Sequence, residues 1–182
     1  MAIFDRLITA LALAAALASP ANAAELTADQ QAGLEARVAS FDTAMRVSDM
    51  AGILGVIPPA VLDQIASDHN VTTEALIASA QEQIDEALKS ITLESFSMDL
   101  AAAEAADLAD GSTYVMIPTE TVMVLGEATK MRSASQTLAL MDGGTWYLMS
   151  VDDPAQIDVL RKVYPAFDNV EFAAPTMEQV TP

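Results

Sequence analysis

The chain has 182 residues, with 26 acidic against 8 basic side chains, one histidine and no cysteine, and a formal net charge of −18. Repulsion from phosphate backbones excludes nucleic acid as a partner, and the missing cysteine excludes disulfides, thiolate-ligated zinc, iron–sulfur clusters and cysteine nucleophiles. Apolar residues make up 52% of the chain, which is enough for a folded domain and argues against a disordered acidic tail.

In chain order, a short start carrying Asp5 and Arg6 leads into an unbroken apolar run from Leu7 to Ala18, and Ser19-Pro20-Ala21-Asn22-Ala23 adds a breaker followed by small residues. This is the layout of a secretory signal peptide cleaved after Ala23. Residues 1–23 are therefore expected to be removed, leaving a periplasmic or secreted protein. The run is shorter than the roughly 20 residues of a transmembrane helix, and no later stretch is longer, so no integral membrane span is expected.

Thr27-x-x-Gln30 is a capping box, and Leu34, Val38, Phe41 and Met45 recur on one helical face, predicting a helix from about Thr27 to Arg46. Ser48-Asp49 can cap a turn that points Met50, Ile53, Leu54 and Ile57 inward, until Pro58-Pro59 breaks it. Pro59 suits the first turn of a second, short helix to about Ser67. A third begins at a Val71-Thr72 cap, with Val71 stapled to Leu76, and places Leu76, Ile77, Ala80, Ile84, Ala87, Leu88 and Ile91 on one arc.

After Lys89 the period shifts toward two. Strands are predicted in Ile91 to Leu100, Thr113 to Leu125 with Pro118 at an edge or bulge, Met131 to Met141, and Thr145 to Val151. Asp110-Gly111 and Asp142-Gly143-Gly144 supply turns. Leu100 to Leu108 prefers helix by composition, but the following turn asks for a strand, and strand is the reading taken. Asp153-Pro154 starts a short helix through about Val163, and residues 173–182 read as a loosely ordered tail. The expected domain, residues 24–172, is α+β: three N-terminal helices on a four-stranded antiparallel sheet, then a short C-terminal helix.

The long first helix, the Pro58-Pro59 break, the two Asp-Gly turns and Trp146-Tyr147-Leu148 in the last strand resemble the nuclear transport factor two-like, or ketosteroid isomerase-like, α+β cone over about Glu35 to Phe167. Cystatin-like folds share this order of elements. The cone resemblance implies a curved sheet wrapped around the helices, a cavity inside it, and a homodimer through the outer sheet face. It implies no chemistry, since that superfamily hosts enzymes and non-enzymes alike, and the isomerase's acid, base and tyrosine have no counterparts here.

Individual residues carry little chemistry. Ser67-Asp68-His69 offers the residue types of a triad, but sequence neighbours cannot converge on one point, and His69 reads as a polar helix end. Glu82, Asp85 and Glu86 lie opposite an apolar arc and read as a solvated face; the methionines read as core filling or an adaptable cavity wall. Of the strand carboxylates Glu94, Asp99, Glu120 and Glu127, Asp99 shares a face with Ile91 and Leu93 and is the candidate pocket acid. The expected pocket lining is Phe41, Met45, Asp99, Trp146 and Leu148, with Trp146 and Leu148 inside and the indole N–H on a pocket polar group. No catalytic set, cofactor or metal site is predicted. The leading expectation is a non-enzymatic ligand-binding or interaction module for a small apolar ligand. The alternatives are a small-molecule isomerase or hydrolase using a pocket carboxylate, and an acidic salt-adapted envelope protein.

Overall fold

The computed structural model describes residues 24–87, 90–126 and 129–180; the expected signal peptide and Glu127 lie outside them. Thr27 closes its capping box: its Oγ1 accepts from the Gln30 N–H at 3.2 Å, and Gln30 Oε1 accepts from the Thr27 N–H at 2.9 Å. From this cap α1 runs over Ala28–Val47 and buries Leu34, Val38 and Ala44, ending where Ser48 turns left-handed at φ 53°. The turn expected after Ser48-Asp49 winds into a helix of its own, α2 (Met50–Leu54), so four helices rather than three precede the sheet. Next, α3 (Pro59–Asp68) starts on Pro59 and ends at His69. Thr72 Oγ1 accepts from the Ala75 N–H at the start of α4 (Thr73–Ala87), while Val71, expected to be stapled down, is exposed.

The sheet has six strands rather than four, all antiparallel: β1 (Ile91–Met98), β2 (Glu104–Asp107), β3 (Thr113–Leu125), β4 (Thr129–Asp142), β5 (Thr145–Ser150) and β6 (Thr176–Gln179). The long β3–β4 hairpin is its spine. Along its outer side β3 pairs first with β2 and then with β1, and β4 pairs with β5 and then with β6. The tight β4–β5 turn needs positive φ at both central positions, met by Gly143 (56°) and Gly144 (80°). Leu100 to Leu108 divides into a 3₁₀ turn (Leu100–Ala102) and β2. Within residues 173–182, read from sequence as a loose tail, Thr176–Gln179 forms β6 against Met131–Ala134.

Pro118 sits in an interior strand, contrary to the edge or bulge expected of it. It lies opposite Gln136 on β4, at the point where the other neighbour of β3 changes from β2 to β1. Its carbonyl accepts from the Asp99 N–H at 2.9 Å. Because the N and O of one strand residue point to the same side, the absent N–H faces this gap, and no ladder bond is lost.

The fold is α+β with a curled antiparallel sheet. On one face Val115, Ile117, Ala139, Trp146 and Leu148 pack with Leu34 and Val38 of α1 and with Val56. On the other, Leu138, Leu140 and Met149 pack with Val61 of α3, with Leu160 of α5 (Pro154–Val163) and with Phe167. Both faces of this half of the sheet are thus covered, which is why Thr137, Leu138, Ala139 and Leu140 are buried in succession where a one-sided sheet would alternate. The outer face that the cone resemblance left open for a second subunit is, in this half, occupied by the chain's own helices.

Candidate functional site

Toward β1 the α1 face of the sheet loses its apolar character. Strand alternation brings Phe96 and Met98 of β1, Thr119 and Thr121 of β3, Ser135 and Thr137 of β4, and Leu148 and Ser150 of β5 to this face. Phe41 of α1, Ile53 of α2 and Val56 of the following linker stand opposite them, and Ile57 of the linker, Val61 and Ile65 of α3 and Met149 of β5, all members of the second-face cluster, complete the lining. The linker is tied to the sheet, since the Leu148 N–H donates to the Val56 carbonyl at 2.7 Å. Between the two walls is a half-open cavity of about 290 Å³, which Asp152 and Gln156 also line.

The cavity has an apolar helical wall and a hydroxyl-bearing sheet wall. Thr119 and Thr137 are both buried, with their Oγ1 atoms 2.8 Å apart, and Thr119 Oγ1 donates to the Ile117 carbonyl at 3.1 Å. Each hydroxyl has one hydrogen. With that of Thr119 on the carbonyl, Thr137 donates to Thr119 and its own lone pairs stay free to accept. Two residues beyond Ser150, the strand partner of Thr137, Asp152 carries a buried Oδ1 with no hydrogen-bond partner among the described residues. These lining residues are therefore rich in acceptors, and a buried acceptor left unmatched costs about 1–3 kcal/mol.

A second, larger cleft of about 850 Å³ adjoins the first. Met45, Met50, Ile84 of α4 and residues Ile91 to Phe96 of β1 line it, and Ile53 and Phe96 line both spaces. The T-shaped contact between the Phe41 and Phe96 rings, 5.6 Å between centroids, is formed where they meet.

Phe41 and Leu148 line the smaller cavity, and Met45 lines the larger cleft. Trp146 is 4% exposed on the α1 face, but its indole N–H donates to the Gln30 carbonyl of α1, so it anchors a helix instead of reaching a pocket group. Asp99 is no pocket acid: it is exposed, and its Oδ1 accepts from the Ala101 and Ala102 N–H groups at 3.0 and 3.2 Å, capping the 3₁₀ turn. Glu94 pairs with Lys130, and Glu120 with Arg132. His69 caps the end of α3, apart from both spaces.

Sequence reasoning missed Asp152 and the hydroxyl wall. The signal was present in the period-two hydroxyls Thr119-x-Thr121 and Ser135-x-Thr137 within strands otherwise rich in apolar residues. Among the described residues no group of three or more acidic or histidine side chains is placed to hold a metal ion, and no helix is long and apolar enough to cross a membrane. In comparison with known proteins, the chain matches no family model, no curated protein and no solved structure.

Proposed function

We propose that this protein is an exported, non-enzymatic binding module that takes a small apolar molecule into the cavity between the sheet and α2–α3. The observation that carries this reading is the cavity's mixed chemistry: apolar side chains on the helical wall, hydroxyls on the sheet wall, and in the lining an Asp152 whose buried Oδ1 has no partner. Ligand sites have this composition, mostly apolar with a few placed polar groups, and the volume lies near the lower end of their usual range of about 300–1,000 Å³. A long N-terminal helix over a curled antiparallel sheet also supports the cone-like reading, although the helices covering the second face depart from it.

Titration with the neutral dye N-phenylnaphthylamine tests the reading. Saturable, one-to-one enhancement of its fluorescence is expected, and Ile65→Trp, which fills the cavity from α3, is expected to abolish it while far-ultraviolet circular dichroism stays unchanged. Undiminished dye binding by folded Ile65→Trp would remove the cavity as the site. Export rests on the apolar run Leu7 to Ala18 followed by the Ala21-Asn22-Ala23 junction. It requires that protein recovered from the cell envelope have the intact mass of a chain starting at Ala24; retention of residues 1–23 there would refute it.

A further inference from the structure

We infer that the ligand is a single-chain amphiphile with a hydrogen-bond-donating head, an alkyl alcohol or alkylamine. Its head would sit at Thr137 and Asp152, and its tail would pass between Ile53 and Phe96 into the larger cleft. The inference rests on the binding reading above and names the ligand class for that site.

Three observations carry it. Thr137 and Asp152 line the small cavity with acceptors in surplus, the free lone pairs of the one and, in the other, a carboxylate whose Oδ1 has no partner, so the matching head group must donate. A carboxylate head has no hydrogen to give, and a chain of net charge −18 repels it. Ile53 and Phe96 belong to both spaces, so a chain that passes between them from the small cavity meets the cleft of about 850 Å³.

The cleft is built for a tail. Met45 and Met50 give it an adaptable apolar wall, and Ile84, Ile91 and Leu93 extend it. Along α4 the apolar residues Leu76, Ile77, Ala80 and Ile84 are only half-buried, and no described residue of this helix is fully buried. An amphipathic helix normally covers its apolar stripe, and here the stripe is left partly open, with Ile84 at the cleft. The charged side chains lining this space are already paired, Asp42 with Arg46 and Glu94 with Lys130, so they do not require a polar tail.

Calorimetric titration of the protein with n-hexanol, n-octanol, n-decanol and n-dodecanol, the matching amines, and decanoate tests the inference, each probe kept below its micelle concentration. Affinity is expected to climb about fourfold per methylene through decanol, the increment for burying one CH₂, while decanoate binds at least tenfold more weakly than decanol. Asp152→Ala should weaken every alcohol and amine by about tenfold, independent of chain length. Phe96→Trp should leave hexanol bound but stop the climb with length, and Met50→Trp, which fills the cleft from α2, should stop it at a longer chain. Affinity that is level beyond hexanol, decanoate equal to decanol, or Asp152→Ala without effect would each overturn the inference while leaving the cavity as a site for small apolar molecules. If neither the neutral dye nor any alcohol or amine binds, the binding reading falls as well.

Discussion

The indole N–H of Trp146 donates to the backbone carbonyl of Gln30 at 2.9 Å, joining β5 to the first turn of α1 across 116 positions of sequence. The contact depends on Gly33, one helical turn beyond Gln30, because a Cβ placed there would lie 3.2 Å from Trp146 Cδ1. Glycine usually weakens a helix by about 1 kcal/mol relative to alanine. Here it admits the aromatic ring that holds the helix to the sheet.

Gly33→Ala is accordingly expected to destabilise the protein, by about 1 kcal/mol, instead of delivering the usual helix gain, because the ring is held by its hydrogen bond and cannot move aside freely. In a Trp146→Leu background the same substitution should stabilise. Chemical denaturation of the four proteins of this cycle checks the reversal of sign, and an equal effect in both backgrounds would refute the coupling. The native protein should also show blue-shifted tryptophan emission with weak acrylamide quenching, since Trp146 is 4% exposed.

The Thr119–Thr137 pair predicts non-additivity of a different kind. Thr137→Val removes a buried partner from Thr119 and should cost about 1 kcal/mol, and Thr119→Val should cost as much or more because it also vacates the Ile117 carbonyl. The double valine variant leaves neither hydroxyl unpaired with the other. Its loss of stability in urea melts is expected to be clearly smaller than the sum of the single losses.

Alkaline stability turns on Tyr164, whose hydroxyl donates to Asp142 Oδ2 at 2.8 Å. Burial first, and then the hydrogen bond to the Asp142 carboxylate, push its pKa well above the ordinary tyrosine value of about 10. A group whose pKa is raised by folding contributes stability that is complete below its unfolded pKa and is lost as the pH rises toward the folded value. The melting temperature should therefore fall above about pH 10, and Tyr164→Phe, though less stable at neutral pH, should fall less steeply over the same interval. Parallel slopes for the two proteins would show that Tyr164 does not govern this limb.

Salt should stabilise the protein. The described cations are already engaged: Arg46 with Asp42, Lys130 with Glu94, Arg132 with Glu120 and Glu178, Lys162 with Asp68, Arg37 over the Tyr147 ring, and Arg161 on the Phe167 and Val170 carbonyls. Exposed pairs of this kind contribute about 0–1 kcal/mol each, whereas 26 acids against 8 bases leave a net charge of −18 to repel itself. As the Debye length shortens from about 30 Å at 0.01 M to about 3 Å at 1 M, the melting temperature in a sodium chloride series is expected to rise. A flat or falling series would show that the ion pairs outweigh the net repulsion.

Local chemistry in the sequence was sufficient for the boundaries that depend on a few adjacent residues. The Thr27–Gln30 box, the Pro58-Pro59 break, the start of α5 at Asp153-Pro154 and the Gly143-Gly144 turn each rest on backbone groups or φ values that neighbouring residues satisfy alone. Alternation likewise separated Trp146 and Leu148 from Tyr147, because consecutive strand residues must face opposite sides. Tertiary structure decided what covers each side. Both faces of the β4–β5 half are buried by helices far apart in sequence, Pro118 is tolerated in an interior strand by a gap between two other strands, and β6 forms because β4 offers it an open edge. The cavity belongs wholly to this second class. Asp99 and Asp152 look alike in sequence, yet Asp99 spends its oxygen on two nearby N–H groups while Asp152 Oδ1 is left buried without one. Periodicity assigns a side chain to a face, but a cavity exists where two elements stand too far apart to fill the space between them, and that distance is set by long-range packing.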